Sequence, residues 1–406
     1  MSRLTRRMLV GAAGATLAAP FISRLGLAQG RLTKPIRIGH LGDFSSFYSI
    51  YSGPVALKCT NLAVEDFKAK NPGIAVEVLS ADHQNKPDVA SSLSQKWIDE
   101  NGVDAITDVP LSACVFAVQE VVKQKNRLLL GANGNSPRIT NENCSINSVH
   151  WPFSSQATGA AAIRGVLQTG AKTFYFITVD NATGSSGEEA ATRLIQANGG
   201  RVLGSTRHPF GVQDFSSFVL KAQSSGADAV VLANAGPDVV GSIKTMNEFG
   251  LKQKVAALQG AVNDVHSMGL KIAQGLSYAD AWYWNDSAET RAFAQRVFPE
   301  KNQMPNAVQV ACYSVVSHYL NAVKEVGTTD PTVVVPQMRK TPVNDVFVKN
   351  GRLREDGRLV RDMRFYRVKS PEQSKEPWDY LEPIASIPAD VSYPLSESTC
   401  TLLNKA

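Results

Sequence analysis

Residues 36–41, IRIGHL, decide the fold when they are taken together with the sequence that follows them. This apolar and partly β-branched run predicts a strand that ends at Gly42. Gly53-Pro54 then opens a helical stretch that extends to about Lys70, and a second strand-like run follows at residues 74–79. Strand, helix and strand in this order predict a βαβ unit, and therefore a parallel sheet with helices on its faces.

The alternation of strands and helices continues along the chain and restarts after a polar loop at residues 141–149. In the first half, we predict helices at 87–101 and 112–125 and strands at 103–107 and 127–131. In the second half, we predict helices at 155–169, 184–198, 214–225 and 237–249 and strands at 173–179, 201–205, 229–233 and 255–258. Further on, we predict strands at 277–284, 343–348 and 363–368 and helices at 288–297, 306–326 and 331–340. Two successive α/β halves predict two similar lobes.

The composition agrees with a two-lobed globular protein. A chain of 406 residues is too long for one ordinary hydrophobic core and has a suitable length for two lobes. Hydrophobic residues make up 43% and charged residues 19%, a balance that excludes a disordered chain. Lysine and arginine are scattered rather than clustered, so we predict no nucleic-acid partner.

The first 28 residues have the pattern of an export signal. Arg6-Arg7 precedes an apolar run rich in glycine and alanine, and small residues up to Ala28 offer a cleavage site. The arginine pair favours the twin-arginine route over the general secretory route. The run is too short to span ~30 Å of hydrocarbon, and no nearby cysteine offers a lipid anchor. Removing the four positive charges of this segment from the formal net charge of +6 leaves +2. We therefore predict a periplasmic mature protein.

The five cysteines divide into two groups by their surroundings. Cys59, Cys114 and Cys312 lie among apolar residues in helix-like stretches and are predicted to be small core side chains. Cys144 and Cys400 lie in polar, loop-like sequence and form our predicted disulfide. A free thiol at either position, or a rival pairing of Cys59 with Cys114, remains open at this level.

Motifs for catalysis or for a bound cofactor are missing from the sequence. It contains no Walker loop, dinucleotide fingerprint, GxSxG elbow or HExxH motif. The histidines at positions 40, 83, 150, 208, 266 and 318 lack metal-ligand spacing. We therefore predict no cofactor, no metal site and no enzymatic activity.

Small polar and aromatic residues follow five of the predicted strands, at residues 43–48, 108–113, 131–136, 180–184 and 234–238. In parallel sheets, ligands bind where the carboxyl ends of strands meet helix N-termini. Five loops at equivalent positions therefore predict the walls of a ligand-binding cleft. Within them, Ser112 is a natural N-cap for the helix that follows it.

Several longer stretches carry a resemblance to a known family. They are residues 82–88 (DHQNKPD), 234–238 with 248–250, 283–286 (YWND), 341–345 (TPVND), 354–358 (REDGR) and 374–380 (SKEPWDY). On these, the chain resembles the leucine/isoleucine/valine-type solute receptors of the type I periplasmic binding fold, from residue 36 to residue 400. It is most similar to the branch that takes branched-chain amino acids, amides or aromatic acids.

The resemblance implies an α/β fold of two Rossmann-like lobes joined by a three-segment hinge. The first lobe would comprise residues 31–150 and 282–361, the second residues 151–281 and 362–385, and a C-terminal tail residues 386–406. The crossings would lie near residues 149–153, 277–284 and 361–365. The branch also carries cysteines at positions 144 and 400, which favours their pairing.

The resemblance also implies roles for individual residues. Ser112, Ala113, Asn133 and Gly134 correspond to first-lobe residues that hold a ligand carboxylate, and Asp238 to the acidic residue that meets a ligand ammonium. The family often has an aromatic residue just before Gly184, and its absence here removes one wall of the usual amino-acid pocket. The remaining candidate ligand-binding residues are Phe44, Tyr48, Asn181, Asn234 and Tyr283.

The implied function is capture of a small carboxylate-bearing solute and its delivery to the membrane subunits of an ABC permease, by a protein that is mostly monomeric. One alternative is a ligand sensor of the same fold that acts on a receptor kinase or a regulatory partner. A second is an α/β enzyme, which would need a nucleophile and a base side by side in the cleft. No such pair is visible in the sequence.

Overall fold

The first part of the chain builds a parallel sheet, as predicted. The computed structural model describes residues 32–403. Its first elements are β1 (Ile36–Gly42), α1 (Gly53–Lys70), β2 (Val76–Asp82), α2 (Pro87–Asn101), β3 (Ala105–Asp108), α3 (Ser112–Gln124), β4 (Leu128–Gly131) and β5 (Ser148–His150). The five strands are parallel in the order β2-β1-β3-β4-β5. Every residue of β3 and β4 is buried, because helices cover both faces of the sheet.

The second part of the chain builds a larger, mixed sheet. Its first elements are α4 (Ser155–Gln168), β6 (Thr173–Val179), α5 (Ala182–Ala197), β7 (Arg201–His208), α6 (Ser216–Ser224), β8 (Ala229–Ala233), α7 (Pro237–Glu248), β9 (Lys254–Ala257), α8 (Val262–Met268), α9 (Leu270–Ala273) and β10 (Ser277–Asp280). The last are α10 (Ala288–Val297), α11 (Ala307–Val326), α12 (Pro331–Lys340), β11 (Arg352–Leu353), β12 (Leu359–Val360), β13 (Met363–Val368), β14 (Leu381–Ile387) and α13 (Ala389–Ser392). The strand order is β14-β13-β10-β9-β8-β6-β7, with β13 and β14 antiparallel to their neighbours.

The two sheets define two lobes, which we name first and second in chain order. After β10 the chain returns to the first lobe, where α11 packs against α1. Arg358 then pairs with His150 at the edge of the first sheet, before β13 joins the second sheet. The chain therefore passes between the lobes three times, and the predicted two-lobed α/β fold class is confirmed.

Local sequence signals explain where the long helix α11 begins and ends. The Asn306 side chain accepts a hydrogen bond from the Gln309 amide (3.1 Å), and the Gln309 side chain accepts one from the Asn306 amide (3.0 Å). This reciprocal capping satisfies two amides at the helix start. Gly327 ends the helix with φ +71°, a conformation that glycine adopts without steric cost. The fixed start of α11 places Asn306 at the mouth of the cleft between the lobes.

Arg361 joins the three crossing segments at the hinge. Its side chain is only 4% exposed, and its guanidinium donates to the carbonyl oxygens of Ala281 (2.8 Å) and Pro152 (3.4 Å). The guanidinium also lies 4.3 Å from the centre of the Phe347 ring. One buried cation on the third crossing thus ties down the backbone of the other two.

The predicted strand at 343–348 is wrong. Only Val343 makes a β-bridge, to Gly351. The Asp345 carboxylate instead accepts hydrogen bonds from the amides of Phe347 (2.8 Å) and Val348 (3.1 Å), which folds the segment into a turn. Val343 and Phe347 of this segment are buried, but the local backbone amides donate to a carboxylate rather than to a neighbouring strand. The predicted strand at 277–284 is also shorter than expected and ends at Asp280.

Seven of these short helices and strands were not predicted: β5, α8, α9, β11, β12, β14 and α13. Six of them show no clear periodicity, which explains why the pattern did not reveal them. The seventh, β14, contains Pro383, which the sequence pattern treats as a breaker. This proline is tolerated because β14 is an edge strand and has a β-bulge next to Pro383: Phe365 pairs with Ala385 and Tyr366 with Pro383, which leaves Ile384 as the extra residue.

The disulfide between Cys144 and Cys400 is confirmed, with 5.8 Å between the two Cα atoms. Cys59, Cys114 and Cys312 are free and buried, so the rival pairing of Cys59 with Cys114 is wrong. The predicted export signal, residues 1–28, lies outside the described residues. Within residues 32–403, none of the helices combines the length and apolarity that a membrane span requires.

Candidate functional site

A cavity with an empty volume of about 560 Å³ lies between the two lobes. Its wall takes residues from both lobes and from the crossing segments. The first lobe contributes Tyr48, Tyr51, Leu111, Ser112, Asn133, Gly134, Asn135 and the start of α11 at Asn306, Ala307 and Val308. The second lobe and the crossings contribute Phe153, Thr183, Ala235, Gln259, Gly260, Ala261 and Asp280. The wall mixes aromatic surface with hydroxyl and amide groups, as small-molecule sites do.

The loop between β3 and α3 reaches the cavity through an unusual backbone conformation. Asp108, Val109 and Leu111 all have positive φ angles of 60–73°. Such angles are costly for residues with a side chain, above all for a β-branched one, and they occur at ligand sites where the surrounding structure enforces them. Here the chain turns sharply enough to bring the first turn of α3 to the cavity wall.

Ser112 is not the N-cap of α3 as predicted. The helix begins at Ser112 itself, and Leu111 occupies the cap position without a capping side chain. Because Ser112 is the first helical residue and not the N-cap, its hydroxyl makes hydrogen bonds outside the helix. It accepts a hydrogen bond from the Ser136 amide (3.1 Å) and lies 2.9 Å from the Thr183 hydroxyl of the second lobe.

The amides of Ser112 and Ala113 have no acceptor among the described residues. Ala113 itself is exposed and lies just beyond the cavity wall. Asn133 and Gly134, by contrast, are both on the wall. The Asn133 amide group donates to Asp108 (3.2 Å), and its oxygen accepts from the Gly134 amide (3.0 Å). Of the four residues predicted to hold a carboxylate, Ser112, Asn133 and Gly134 therefore line the cavity and Ala113 does not.

Asn181 and Asn234 lie in a smaller adjoining cavity of about 270 Å³. Asn181 caps α5, because its side-chain oxygen accepts from the Gly184 amide (2.9 Å). The Asn234 side chain lies 3.1 Å from Nε2 of His208. Tyr48 lines both cavities, as do Thr183, Ala235 and Gln259.

Asp238 lines neither of these two cavities. One of its carboxylate oxygens has no hydrogen-bond partner, and the other is 3.5 Å from the Gly211 amide. Burial raises the pKa of Asp238 to about 7. Its charge also acts on Tyr48, whose pKa is raised by burial and then by this carboxylate.

Phe44 and Tyr283 are not brought to the cavity. The Phe44 ring packs edge-on against His40, with 6.0 Å between ring centres. The Tyr283 hydroxyl donates to the Trp378 carbonyl (2.8 Å) and accepts from the Tyr380 amide (2.9 Å), so it stabilises the segment before β14. Both aromatic side chains have packing roles in this structure.

Direct contacts hold the two lobes together across the cleft. The Tyr51 hydroxyl lies 2.7 and 2.8 Å from the two carboxylate oxygens of Asp264, which belongs to the second lobe. The centre of the Phe47 ring lies 4.2 Å from that of the Phe210 ring, also across the cleft, with 52° between the ring planes. The structure is therefore a closed form. The sequence analysis did not identify the pair of Tyr51 and Asp264, because no local pattern links residues so far apart.

Asp280 was also missed, although it follows the rule used for the other loops. It is the last residue of β10 and lines the cavity. Because the predicted strand continued to residue 284, the sequence analysis did not place Asp280 at a strand end. Asp280 is 3% exposed and accepts one hydrogen bond, from the Ala281 amide (2.6 Å). Burial raises the pKa of Asp280 to about 8.

The structure brings together one group of potential metal ligands that sequence spacing did not indicate. His40, Asp108 and Cys312 offer ligand atoms within 4.8 Å of one another, and all three are fully buried. Asp108 is hydrogen-bonded to Ser52 and Asn133. Nδ1 of His40 lies 3.0 Å from the Thr60 hydroxyl. These side chains form a polar network that supports Asn133 from behind.

The buried carboxyls make stability dependent on pH. Burial raises the pKa of Asp108 to about 7, as it does for Asp238, and that of Asp280 to about 8, from an ordinary value of 3.8. The folded protein holds these protons longer than the unfolded chain, so the free energy of unfolding falls as pH rises towards 8. The six histidines have pKa values below 6.5 and oppose this trend only at lower pH.

We therefore expect the melting temperature of the ligand-free protein to fall between pH 6.5 and pH 8.5. Asp280→Asn should make this decline shallower, because it removes one of the titrating groups. Differential scanning calorimetry of both proteins in matched buffers measures the effect. A melting temperature that rises over this range would contradict the assignment of raised carboxyl pKa values.

Comparison with known proteins identifies the family. Residues 35–375 match the family model described as periplasmic binding protein. The chain is similar to the crystal structure of a periplasmic binding protein from Burkholderia mallei, with 39% identity, a TM-score of 0.88, and coverage of 91% of this chain and 99% of that one. It is also similar to a branched chain amino acid ABC transporter periplasmic ligand-binding protein from Burkholderia xenovorans, with 36% identity, a TM-score of 0.83, and coverage of 90% and 99%.

A more distant relative is the Leu/Ile/Val-binding protein homolog 6 of Brucella melitensis, which is 25% identical over 276 residues, or 64% of this chain and 68% of the relative. The family match spans every strand of both sheets except β14, and all the loops that form the cavity. The chain therefore belongs to the periplasmic binding protein family.

Proposed function

We propose that this chain is the solute-binding protein of an ABC importer and acts in the periplasm, mostly as a monomer. It captures a small carboxylate-bearing solute (a branched-chain amino acid, an amide or an aromatic acid) and delivers it to the membrane permease. The observation that carries the proposal is the cavity between the lobes, whose wall is completed only when both lobes meet. Such a site traps its ligand on closure and releases it when the lobes part.

The first turn of α3 supports a carboxylate at one end of the cavity. The amides of Ser112 and Ala113 and the Ser112 hydroxyl can all donate to an anion there. The helix dipole adds a partial positive charge at the same point. An anion could thus bind without a lysine or arginine, and none of either lines the cavity among the described residues.

The surroundings of Ser112 favour binding over catalysis. A serine nucleophile needs a general base within hydrogen-bond reach. The neighbours of the Ser112 hydroxyl are the Thr183 hydroxyl and the Ser136 amide, and neither can act as such a base. The relatives described above are solute-binding proteins.

A thermal-shift screen tests the proposal. A solute present at 100 times its dissociation constant adds about 2.7 kcal/mol to the free energy of unfolding. We expect a clear rise in melting temperature with at least one amino acid, short amide or aromatic acid. Chemical turnover of the bound solute would contradict the proposal. Co-purification with a histidine kinase instead of a two-subunit permease would favour a ligand sensor.

Ser112→Ala should weaken binding of the solute found in this screen by about tenfold to a hundredfold. The reason is the loss of a hydrogen bond to a charged group, which contributes about 1.5–3 kcal/mol. Isothermal titration calorimetry measures the change. Ser92→Ala, on the exposed face of α2 in the same lobe, is the matched control and should bind as the wild type does. If both variants bind the solute with equal affinity, Ser112 does not contribute to solute binding.

A further inference from the structure

We propose that Asp280 selects solutes that carry a positively charged nitrogen group and rejects solutes that are plain carboxylates. This inference rests on the proposed solute-binding function and specifies the substrate class of the same cavity. The resemblance drawn from the sequence assigns the ammonium partner to Asp238, at the start of α7. The structure points to a different carboxylate, on a crossing segment between the lobes.

The position of Asp280 makes it accessible to a ligand but not to bulk water. It ends β10, where the chain leaves the second sheet, and its side chain lines the main cavity while remaining 3% exposed. A buried carboxylate is costly unless it is paired or hydrogen-bonded. Asp280 has one hydrogen bond, from the amide of the adjacent Ala281.

The protein supplies little compensation for this charge. Arg361 lowers the pKa of Asp280 only against a larger effect of burial, and Asp286 and Asp264 raise it further. The guanidinium of Arg361 donates to the carbonyl oxygens of Ala281 and Pro152 and makes no hydrogen bond to Asp280. Asp280 thus lies on the cavity wall without a positively charged hydrogen-bond partner.

The rest of the wall fits a solute with charges of both signs. Among the described residues, the wall contains no lysine, arginine or histidine, and Asp280 is its only carboxylate. The donors of α3 at Ser112 lie on the same wall and suit the solute's own carboxylate. An ammonium or amidinium group on the solute would form a charge-assisted hydrogen bond with Asp280. A solute with only a carboxylate would supply no such partner, and its negative charge would oppose ionisation of Asp280, whose pKa burial already raises to about 8.

Asp238 has a weaker claim to this role. It lines neither of the two adjoining cavities, whereas Asp280 lines the main one. It also has local neighbours, the Gly211 amide at 3.5 Å and Nδ1 of His208 at 3.9 Å.

Matched pairs of solutes test the inference on the unaltered protein. Leucine is compared with 4-methylpentanoate, and phenylalanine with 3-phenylpropanoate, so that each pair differs in the ammonium group; benzoate is added as an aromatic acid. Dissociation constants come from isothermal titration calorimetry. We expect the amine-bearing member of at least one pair to bind at least tenfold more tightly. Tighter binding of the plain carboxylates overturns the inference but leaves the solute-binding function intact, whereas binding of none of them overturns the inference and argues against the proposed solute class.

Two variants identify the carboxylate responsible. Asp280→Asn keeps the shape and can still accept from the Ala281 amide, and we expect it to weaken binding of the amine-bearing solute by tenfold to a hundredfold. It should leave the matched plain carboxylate unchanged or bound more tightly. Asp238→Asn is the matched control, with a smaller expected loss. The inference fails if Asp238→Asn causes the loss and Asp280→Asn does not.

Discussion

Removal of the Cys144–Cys400 disulfide is expected to lower the free energy of unfolding by about 5 kcal/mol. The two cysteines are separated by 256 positions in the sequence, and in the chain-entropy model a loop of this size costs about that much to close. The segment that carries Cys400 has few other attachments. The Asn141 side chain accepts hydrogen bonds from the Ser398 hydroxyl (3.2 Å) and the Thr399 amide (3.3 Å).

Chemical denaturation of the protein with both cysteines changed to serine measures this loss. Reduction of the wild type with a thiol should reproduce it, and the same reductant should leave the double variant unchanged. These two controls separate loss of the bond from the effect of the serines. A double variant that unfolds at the same denaturant concentration as the oxidised wild type would show that the tail needs no covalent attachment.

Arg361→Met is expected to cost about 3 kcal/mol or more of stability. The substitution leaves the carbonyl oxygens of Ala281 and Pro152 without their buried donor, and each such unsatisfied group is costly. It also removes the cation from the Phe347 ring while preserving most of the side-chain volume. Because these carbonyls belong to two crossing segments, we also expect a weaker closed state and a lower ligand affinity.

Arg364→Met is the matched control for this prediction. Arg364 lies on β13 three residues further along, and its ion pair with Asp286 (3.1 Å) leaves the arginine side chain 49% exposed. Because the arginine of this pair is half-exposed, its removal should cost only about 1 kcal/mol, and Asp286, whose side chain is 7% exposed, keeps its hydrogen bond from the Tyr366 hydroxyl. Urea denaturation of both variants gives the comparison. Equal stability losses would mean that the buried position of Arg361 has no special part in the hinge.

The sequence alone determined the alternation of strands and helices and the two α/β halves. It also identified the disulfide, because Cys144 and Cys400 differ from the other cysteines in their polar surroundings. These features depend on local composition and on the periodicity with which side chains are buried, and a single sequence shows both. The strand expected at 343–348 failed because a buried apolar segment can satisfy its amides with a carboxylate, here Asp345, instead of a neighbouring strand.

The tertiary structure decided which polar residues form the cavity. The loop rule led to Ser112, Asn133 and Gly134, which line the cavity, but also to Asp238, which does not. Identifying Asp280 as a cavity residue required knowing that β10 ends at this residue. The contact between Tyr51 and Asp264 joins residues 213 positions apart, on different lobes. A contact of this kind depends on how two separately formed cores pack against each other, and no local pattern in the sequence records that geometry.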